Sequence, residues 1–422
     1  MQYVWQHRLW VSHSMVTVDG RKVQIIDPGK LNSDAGPDFF NAKVKIDGEM
    51  WVGNVEIHVR ASDWYRHNHD KDVAYDNVIL HVVEKDDMPI RRSNGDIVPQ
   101  LCMPCSAQFR EQYDKLVGCA ASELPCSKEI ESLPSIYITD MISNLGYERL
   151  YTKVARIEEL LSRFSGDWNE VCYVLLARSL GFGVNSDAFE RLAISTPLKI
   201  LEKHSDSLTA IEAMLFGQSG LLDVAPSDGY VSTLRNEYNY YAHKFGLEQP
   251  KSLGWKMARM RPQNFPHRRI AILAAMIEGG FSYASEMMNA KNIDDVVRLF
   301  KLELTGYWSH RSSFNAASGG GVNGLSNNSI SILIINAVVP VVYAYGKISG
   351  DENACNRAIE MLQSLRPEKN GIVELFTRAG IECKDAFTSQ ALIQLRREYC
   401  ETRKCLYCRI GHRMLAKKAQ NN

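Results

Sequence analysis

Acidic and imidazole side chains that could bind a metal ion lie close together near the start of this sequence. Asp38 follows Gly36 and Pro37, and Glu56 and His58 come one short hairpin later. Residues two apart in a strand share a face, so Glu56 and His58 are expected to point the same way, and a hairpin can bring Asp38 beside Glu56. Two neighbouring carboxylates raise each other's pKa unless a cation compensates. The pattern therefore predicts a divalent metal site with Asp38 and Glu56 as ligands.

The donor atoms of this site indicate which ion it would bind. Carboxylate oxygens and water suit Mg²⁺ or Mn²⁺, which activate water and stabilise charge on a phosphoryl group. His58 is expected to orient or deprotonate that water, or to bind the ion, because imidazole titrates near neutral pH. Four of the chain's 11 histidines lie between His58 and His81. His67 and His81 are therefore expected as further ligands or as residues that support the ligands, and a histidine-rich site would favour Zn²⁺, Mn²⁺ or Fe²⁺.

The order of these residues resembles the core of PD-(D/E)xK nucleases, in which a Pro-Asp pair and a hairpin precede an acid–apolar–base triplet. The resemblance covers residues 34–60, with His58 where the nuclease motif has lysine. It implies a mixed β-sheet, a bound metal ion, a nucleic-acid substrate and catalytic roles for Asp38, Glu56 and His58. The histidine at position 58 is a departure from the motif.

A basic segment in the second half of the chain leads into an apolar helical pattern that begins near Pro266. It contains Arg261, Arg268 and Arg269. Guanidinium groups and the free N–H groups of a helix start can converge on an anion. The segment therefore predicts a phosphate site, which could hold a nucleic-acid backbone. Ion pairing within the protein is the alternative interpretation.

Three cysteines near the end of the chain have the spacing of metal ligands. Cys400, Cys405 and Cys408 are separated by four and two residues, and His412 or Cys383 could complete a set of four. Basic neighbours favour the thiolate form that binds metals. A structural Zn²⁺ is the first expectation and an Fe–S cluster the second, since some nucleases of the PD-(D/E)xK superfamily hold their ends with one. Unligated thiols remain the other interpretation.

Composition places the protein among ordinary globular proteins. Its 422 residues contain 49 basic and 49 acidic side chains, so net charge gives no argument for nucleic-acid binding. The start of the chain lacks a secretory pattern, and ten cysteines in a chain of this length fit a reducing compartment, so a cytoplasmic location is expected. The apolar run Ile330–Tyr345 contains Asn336 and Pro340 and is shorter than the roughly 20 residues of a membrane span. It predicts a buried core helix and no membrane partner.

Hydrophobic periodicity changes once along the chain. Strand and turn patterns dominate up to about Leu101, and helical spacing follows from about Ala107. The predicted fold class is α+β, with an N-terminal mixed β-sheet and a larger, mainly helical part. The predicted domains are a β-rich domain at 1–106 that carries the metal site, a helical domain at 107–398 and a cysteine-rich tail at 399–422.

Six phrases spread over the sequence resemble the bacterial domain-of-unknown-function family 2851. They are Asp34–Phe39, Gly53–His58, Ser62–Trp64, Asn77–Val83, Arg261–Pro266 and Cys405–Cys408. The family has no established activity, so this resemblance implies no catalytic residues. Three functions remain open: a metal-dependent phosphodiesterase or nuclease, a non-catalytic protein that binds nucleic acid or another protein, and a metallohydrolase of another kind that uses the same site.

Overall fold

The protein was analysed as a computed structural model that describes residues 1–10, 15–32, 34–105, 107–118, 123–223, 228–314, 316–317 and 323–419. The chain divides into two compact units. Unit 1 contains Met1–Met141, Glu374–Ile381 and Leu395–Asn422, and unit 2 contains Ile142–Val373 and Glu382–Gln394. The C-terminal segment that the sequence set apart as a tail therefore belongs to the same unit as the N-terminal residues.

Unit 1 is built on a six-stranded mixed sheet. The strands are β1 (Val23–Asp27), β2 (Lys30–Leu31), β3 (Phe39–Ile46), β4 (Glu49–Arg60), β5 (Val78–Lys85) and β6 (Gln100–Cys102). Their order is β1-β3-β4-β5-β6, with β2 also paired to β3. The pairs β1–β3 and β3–β4 are antiparallel, whereas β4–β5 and β5–β6 are parallel. This sheet, together with the helices, confirms the α+β class.

Strands β3 and β4 form the hairpin that the sequence predicts between Asp38 and Glu56, and it turns at Asp47 and Gly48. Asp47 and Gly48 both have positive φ, at 50° and 90°. Such a pair suits the tight turns whose twist matches the strands they join. The pairing of β3 with β4 is irregular between Phe39 and Ala42, where Asn41 has φ 55°. Irregularities of this kind re-aim the neighbouring side chains, and here the irregularity adjoins Asp38.

The remaining part of the described chain is mainly helical. Two helices contain residues of both units: α4 (Ser135–Arg163) begins in unit 1 and continues in unit 2, and α16 (Gly371–Arg378) begins in unit 2 and ends in unit 1. The helices that lie wholly in unit 1 are α1 (Gln2–Gln6), α2 (Asp63–Arg66), α3 (Ala107–Val117) and α18 (Arg409–Ala419). Those of unit 2 are α5 (Trp168–Leu180), α6 (Ser186–Ser195), α7 (Leu198–Leu201), α8 (Leu208–Gln218), α9 (Gly229–Phe245), α10 (Pro266–Ile277), α11 (Tyr283–Asn289), α12 (Ile293–Leu299), α13 (Asn327–Leu333), α14 (Val339–Ser349), α15 (Glu352–Ser364) and α17 (Ala386–Gln394). A two-stranded ribbon, β7 (Arg311–Ser313) and β8 (Ala316–Ala317), also lies in unit 2.

The apolar run of unit 2 forms one helix, Asn327–Ser349, in which a π-helical turn joins α13 to α14. By length and composition this helix could cross a membrane, but 78% of its most apolar window is buried inside the structure, as is typical of a core helix. The amide of Asn336 within this helix has a hydrogen-bond partner. Its side-chain oxygen accepts a hydrogen bond from Lys153 Nζ at 3.2 Å. Lys153 also donates to the carbonyl oxygen of Ile335.

Candidate metal centre

Glu56 is the central acidic residue of the site. It lies on β4 beside His81 of β5 in the parallel register, and 5% of its surface is exposed. Its Oε2 accepts a hydrogen bond from the backbone N–H of Asp38 at 3.0 Å. Its Oε1 lies 3.4 Å from His58 Nε2 and 3.4 Å from His69 Nε2. One oxygen of Glu56 is thus bonded to the backbone just before β3, and the other faces two imidazoles.

Three imidazoles meet at this point. His58 Nε2 lies 3.1 Å from His67 Nδ1. Ligand atoms of His58, His67 and His69 all lie within 4.8 Å of one another. Donor atoms that share one ion at about 2.0–2.2 Å stand roughly 3–3.5 Å apart, so the closest separations here match a single small ion. His58 and His69 are buried whereas His67 is exposed, so solvent reaches the centre on the side of His67.

A short loop after β4 supplies two of the imidazoles. His67 ends the turn of α2, and His69 begins the next turn of the chain. Asn68 between them has φ 61°, in the left-handed region that asparagine tolerates better than most residues. This backbone reversal turns the side chains of His67 and His69, which are two residues apart in sequence, toward the same point.

Aromatic side chains hold the loop histidine in place. The ring of Tyr75 stacks on His69 with centroids 3.7 Å apart and an angle of 23° between the planes. Trp64 contacts both His69 and His81 edge-on or tilted. Trp64 and Tyr75 belong to the apolar cluster beneath the loop. The orientation of His69 is therefore set by packing before any ion binds.

Asp38 lies beside Glu56 rather than in the group of imidazoles. Its Oδ2 accepts from the backbone N–H of Ile57 and its Oδ1 from Gln2 Nε2, at 3.0 and 2.6 Å. Burial and the adjacent charge of Glu56 raise the pKa of Asp38 to about 6. A carboxylate with this pKa can exchange a proton near neutral pH.

His81 supports His58 from the opposite side. Its Nε2 lies 2.9 Å from Nδ1 of His58, the nitrogen that faces away from Glu56. Burial lowers the pKa of His58 to about 4 and that of His81 to about 3, so both rings are neutral at pH 7. Neutral His58 can offer the lone pair of Nε2 to a metal while its Nδ1–H donates to His81. The structure thus places His81, predicted as a ligand or a supporting residue, behind a ligand and outside the group.

The predicted arginine site has a different geometry from the one expected. Arg261 is exposed, whereas Arg268 and Arg269 are each 3% exposed. Arg268 Nη1 donates to the carbonyl oxygens of Trp308 and Arg311, both at 2.9 Å. Burial lowers the pKa of Arg269 to about 9. Arg269 donates from Nη2 to the Asn264 side chain, whereas its Nε and Nη1 are buried without a hydrogen-bond partner among the described residues. The phosphate-binding role of these arginines stays a prediction.

The C-terminal cysteines lie in unit 1 and are all buried. The ligand set that includes His412 or Cys383 as the fourth member stays a prediction. His412 Nδ1 is hydrogen-bonded to the hydroxyl of Tyr3. Cys383 belongs to unit 2, where its thiol lies 3.7 Å from the carbonyl oxygen of Asp385.

Comparison with known proteins identifies a family. The profile of the family described as "Protein of unknown function (DUF2851)" matches residues 1–371. The chain therefore belongs to this family, which confirms the family resemblance seen in its sequence. Searches of curated proteins and of solved structures found no match.

Three residues of the centre were given no role of their own by the sequence analysis. His69 stands in the histidine-rich stretch, but only the reversal at Asn68 turns it to the same point as His67. Gln2 lies far from Asp38 in sequence, and a single glutamine near a chain start predicts no contact. Tyr75 could have been found only as one of three aromatic residues between His58 and His81.

Proposed function

We propose that this protein is a metal-dependent hydrolase that cleaves phosphodiester bonds, with nucleic acid as the candidate substrate. The observation that carries the proposal is the convergence of Glu56 Oε1 with the ring nitrogens of His58, His67 and His69. The choice of a phosphodiester rests on the resemblance of residues 34–60 to PD-(D/E)xK nuclease cores. Three imidazoles and one carboxylate favour Zn²⁺, Mn²⁺ or Fe²⁺ over Mg²⁺.

The residues around the centre suit hydrolysis. A divalent ion held there would polarise a phosphoryl oxygen and make a water molecule more acidic. In the reaction the water oxygen bonds to phosphorus, the bond to the leaving alcohol breaks with its electron pair, and the proton lost by water ends on that alcohol. Asp38, with a pKa of about 6, is placed next to Glu56 to carry this proton. The Glu56 carboxylate accepts from the backbone N–H of Asp38, and the Asp38 carboxylate accepts from the backbone N–H of Ile57, so each is oriented by the backbone next to the other.

The test uses the full-length protein after removal of metals with a chelator. Samples are loaded separately with Zn²⁺, Mn²⁺, Fe²⁺ without oxygen, and Mg²⁺, and metal content is measured together with cleavage of bis(4-nitrophenyl) phosphate and of labelled DNA and RNA. His67→Ala is the principal variant, because His67 is exposed and its loss should not unfold the chain. His243→Ala, at an exposed histidine of α9, is the matched control.

We expect one ion per chain at the sheet, with affinity reduced roughly 100-fold in His67→Ala and unchanged in His243→Ala. Phosphodiester cleavage should likewise be reduced in His67→Ala and unchanged in His243→Ala. Wild-type affinity in His67→Ala would contradict the centre itself. Metal binding that depends on His67 without cleavage of any phosphodiester would reject the substrate class and leave a hydrolase of another kind that uses the same residues.

A further inference from the structure

Four cysteines of unit 1 that take no part in the sheet centre lie near one another, and cysteine is a common metal ligand. Burial raises the pKa of the Cys400 thiol, and the nearby thiols of Cys126, Cys408 and Cys405 raise it further. Cys400, Cys405 and Cys408 are buried, and Cys126 is half-buried. The sequence spacing identified three of these residues, and the fold adds Cys126.

Backbone contacts bring Cys126 to the C-terminal residues. Arg396, four residues before Cys400, donates from Nη1 to the carbonyl oxygen of Glu123 at 2.9 Å. The carbonyl oxygen of Cys126 accepts from the N–H groups of Glu129 and Ile130, both at 3.1 Å. Cys126 is therefore held in a tight turn whose first residues are bonded to the segment that carries Cys400.

Cys405 and Cys408 lie at the two ends of a tight turn just before α18. The Cys408 sulfur accepts backbone N–H groups of Gly411 and Ile410 at the start of α18. Hydrogen bonds from N–H groups to sulfur are typical of cysteines that ligate a metal. A Cβ on Gly411 would lie 2.3 Å from the carbonyl oxygen of Cys405, so only glycine allows the helix to start this close to the turn.

The separation of the sulfurs distinguishes between a single ion and a cluster. Sulfurs bound to one tetrahedral Zn²⁺ lie roughly 3.5–4 Å apart, because each Zn–S bond is about 2.3 Å long. Within the part of the chain that the structure describes, groups of three or more ligand atoms mutually within 4.8 Å occur at His58, His67 and His69 and at no cysteine. In a [4Fe–4S] cluster each sulfur binds a different iron, so the four sulfurs stand farther apart.

We propose that Cys126, Cys400, Cys405 and Cys408 ligate a [4Fe–4S] cluster. The cluster joins the Cys126 turn to the C-terminal segment within unit 1 and closes a loop of roughly 270 residues, a length at which a cross-link removes much entropy from the unfolded chain. Its four ligands would bind as thiolates, and their mutual repulsion around Cys400 would be offset by the cluster iron. Arg396 adds a positive charge that favours the Cys400 thiolate.

The full-length protein is purified without oxygen and, in a parallel sample, reconstituted with ferrous iron and sulfide. Iron, sulfide and zinc are measured chemically, the absorption spectrum is recorded, and the protein is examined by electron paramagnetic resonance after reduction with dithionite. Cys126→Ser is the principal variant. Cys383→Ser and Cys102→Ser are the controls, because Cys383 lies in unit 2 and Cys102 is exposed.

We expect a brown protein with about four iron and four sulfide per chain in the wild type and in both controls. Cys126→Ser should lose at least half of both, or yield a cluster that decays when reduced. Because the iron and sulfide of the wild type are measured directly, the result does not depend on the variant folding. A colourless wild type that takes up neither iron nor sulfide on reconstitution would overturn the proposal, as would one zinc per chain that depends on Cys126. His67→Ala should keep the cluster, so failure here is distinguishable from failure of the sheet centre.

Discussion

At Asp38, the protonation state that stabilises the fold is the neutral one, whereas the proposed proton transfer needs the ionised carboxylate. Its carboxyl is half-buried beside Glu56 and has a pKa of about 6, compared with an ordinary 3.8. The folded protein therefore holds this proton more tightly than the unfolded chain does. The resulting stabilisation is fully present below pH 3.8 and is lost as the pH rises through 6. At neutral pH the ionised Asp38 destabilises the metal-free protein relative to its protonated form.

Replacing Asp38 with asparagine should separate the two effects. In metal-free protein at pH 8, Asp38→Asn is expected to raise the free energy of unfolding of unit 1 by roughly 1–3 kcal/mol, because a buried charge is removed. Near pH 4 this gain should disappear. Bound Mn²⁺ should stabilise the wild type more than the variant, and phosphodiester cleavage should be abolished. Chemical unfolding at both pH values, with and without metal, measures this.

The control for this experiment is Asp34→Asn, at an exposed carboxylate of the same segment. It should change stability by less than about 0.5 kcal/mol at either pH. Equal stabilisation by both variants, or a gain by Asp38→Asn that persists at pH 4, would show that the charge of Asp38 is not what destabilises the folded state.

At the scale of the secondary-structure elements, the loop that follows β4 contributes two of the three imidazoles of the candidate centre. β4 itself supplies Glu56 and His58 by its two-residue repeat, but it cannot supply a third imidazole in the same place. The loop does so because Asn68 adopts a left-handed conformation between His67 and His69. The metal affinity of the centre should therefore depend on the backbone at residue 68, whose side chain is exposed.

Substitution of Asn68 tests this dependence without touching a ligand. A β-branched residue is strained at positive φ by roughly 1–2 kcal/mol, whereas glycine is not. Asn68→Val should weaken metal binding roughly 10-fold or more, and Asn68→Gly should bind nearly as the wild type does. Calorimetric titration with Zn²⁺ and Mn²⁺ compares the two. Equal affinity in both variants would mean that the loop does not preset the two histidines.

What the sequence predicted of these elements was local. The shared face of Glu56 and His58 follows from strand periodicity, and the hairpin follows from Asp47 and Gly48, so both were accessible to reasoning from neighbouring residues. The position of His69 required a positive φ that asparagine tolerates but does not impose. Burial of Arg268 and Arg269 was not predictable either, because the carbonyl oxygens that accept from Arg268 lie some 40 residues further along the chain.

On the scale of the whole molecule, the two ends of the chain contribute to the same unit. The cysteine-rich composition of residues 399–422 distinguishes them from the rest of the sequence. Their contacts with the first residues of the chain could not be predicted, because contacts between distant residues produce no periodic pattern in a sequence. In the structure, His412 of α18 is hydrogen-bonded to Tyr3 of α1, and the neighbouring Gln2 donates to Asp38. A continuous series of contacts thus leads from the C-terminal helix through α1 to the candidate metal centre, all within unit 1.

A substitution that destabilises the packing of α18 should therefore also destabilise the residues of the candidate metal centre. Ile410 is 1% exposed, whereas Tyr407, three residues before it, is 70% exposed. Ile410→Ala is expected to lower the free energy of unfolding of unit 1 by roughly 2–4 kcal/mol, since it leaves a cavity in packed side chains. Amide hydrogen exchange should become faster in α18, in α1 and at Asp38–Glu56, and remain unchanged in α5 of unit 2. Tyr407→Ala should leave all four regions as in the wild type. If Ile410→Ala accelerates exchange in α18 alone, the tail folds independently of the sheet, and the contacts through Tyr3 and Gln2 do not couple it to the centre.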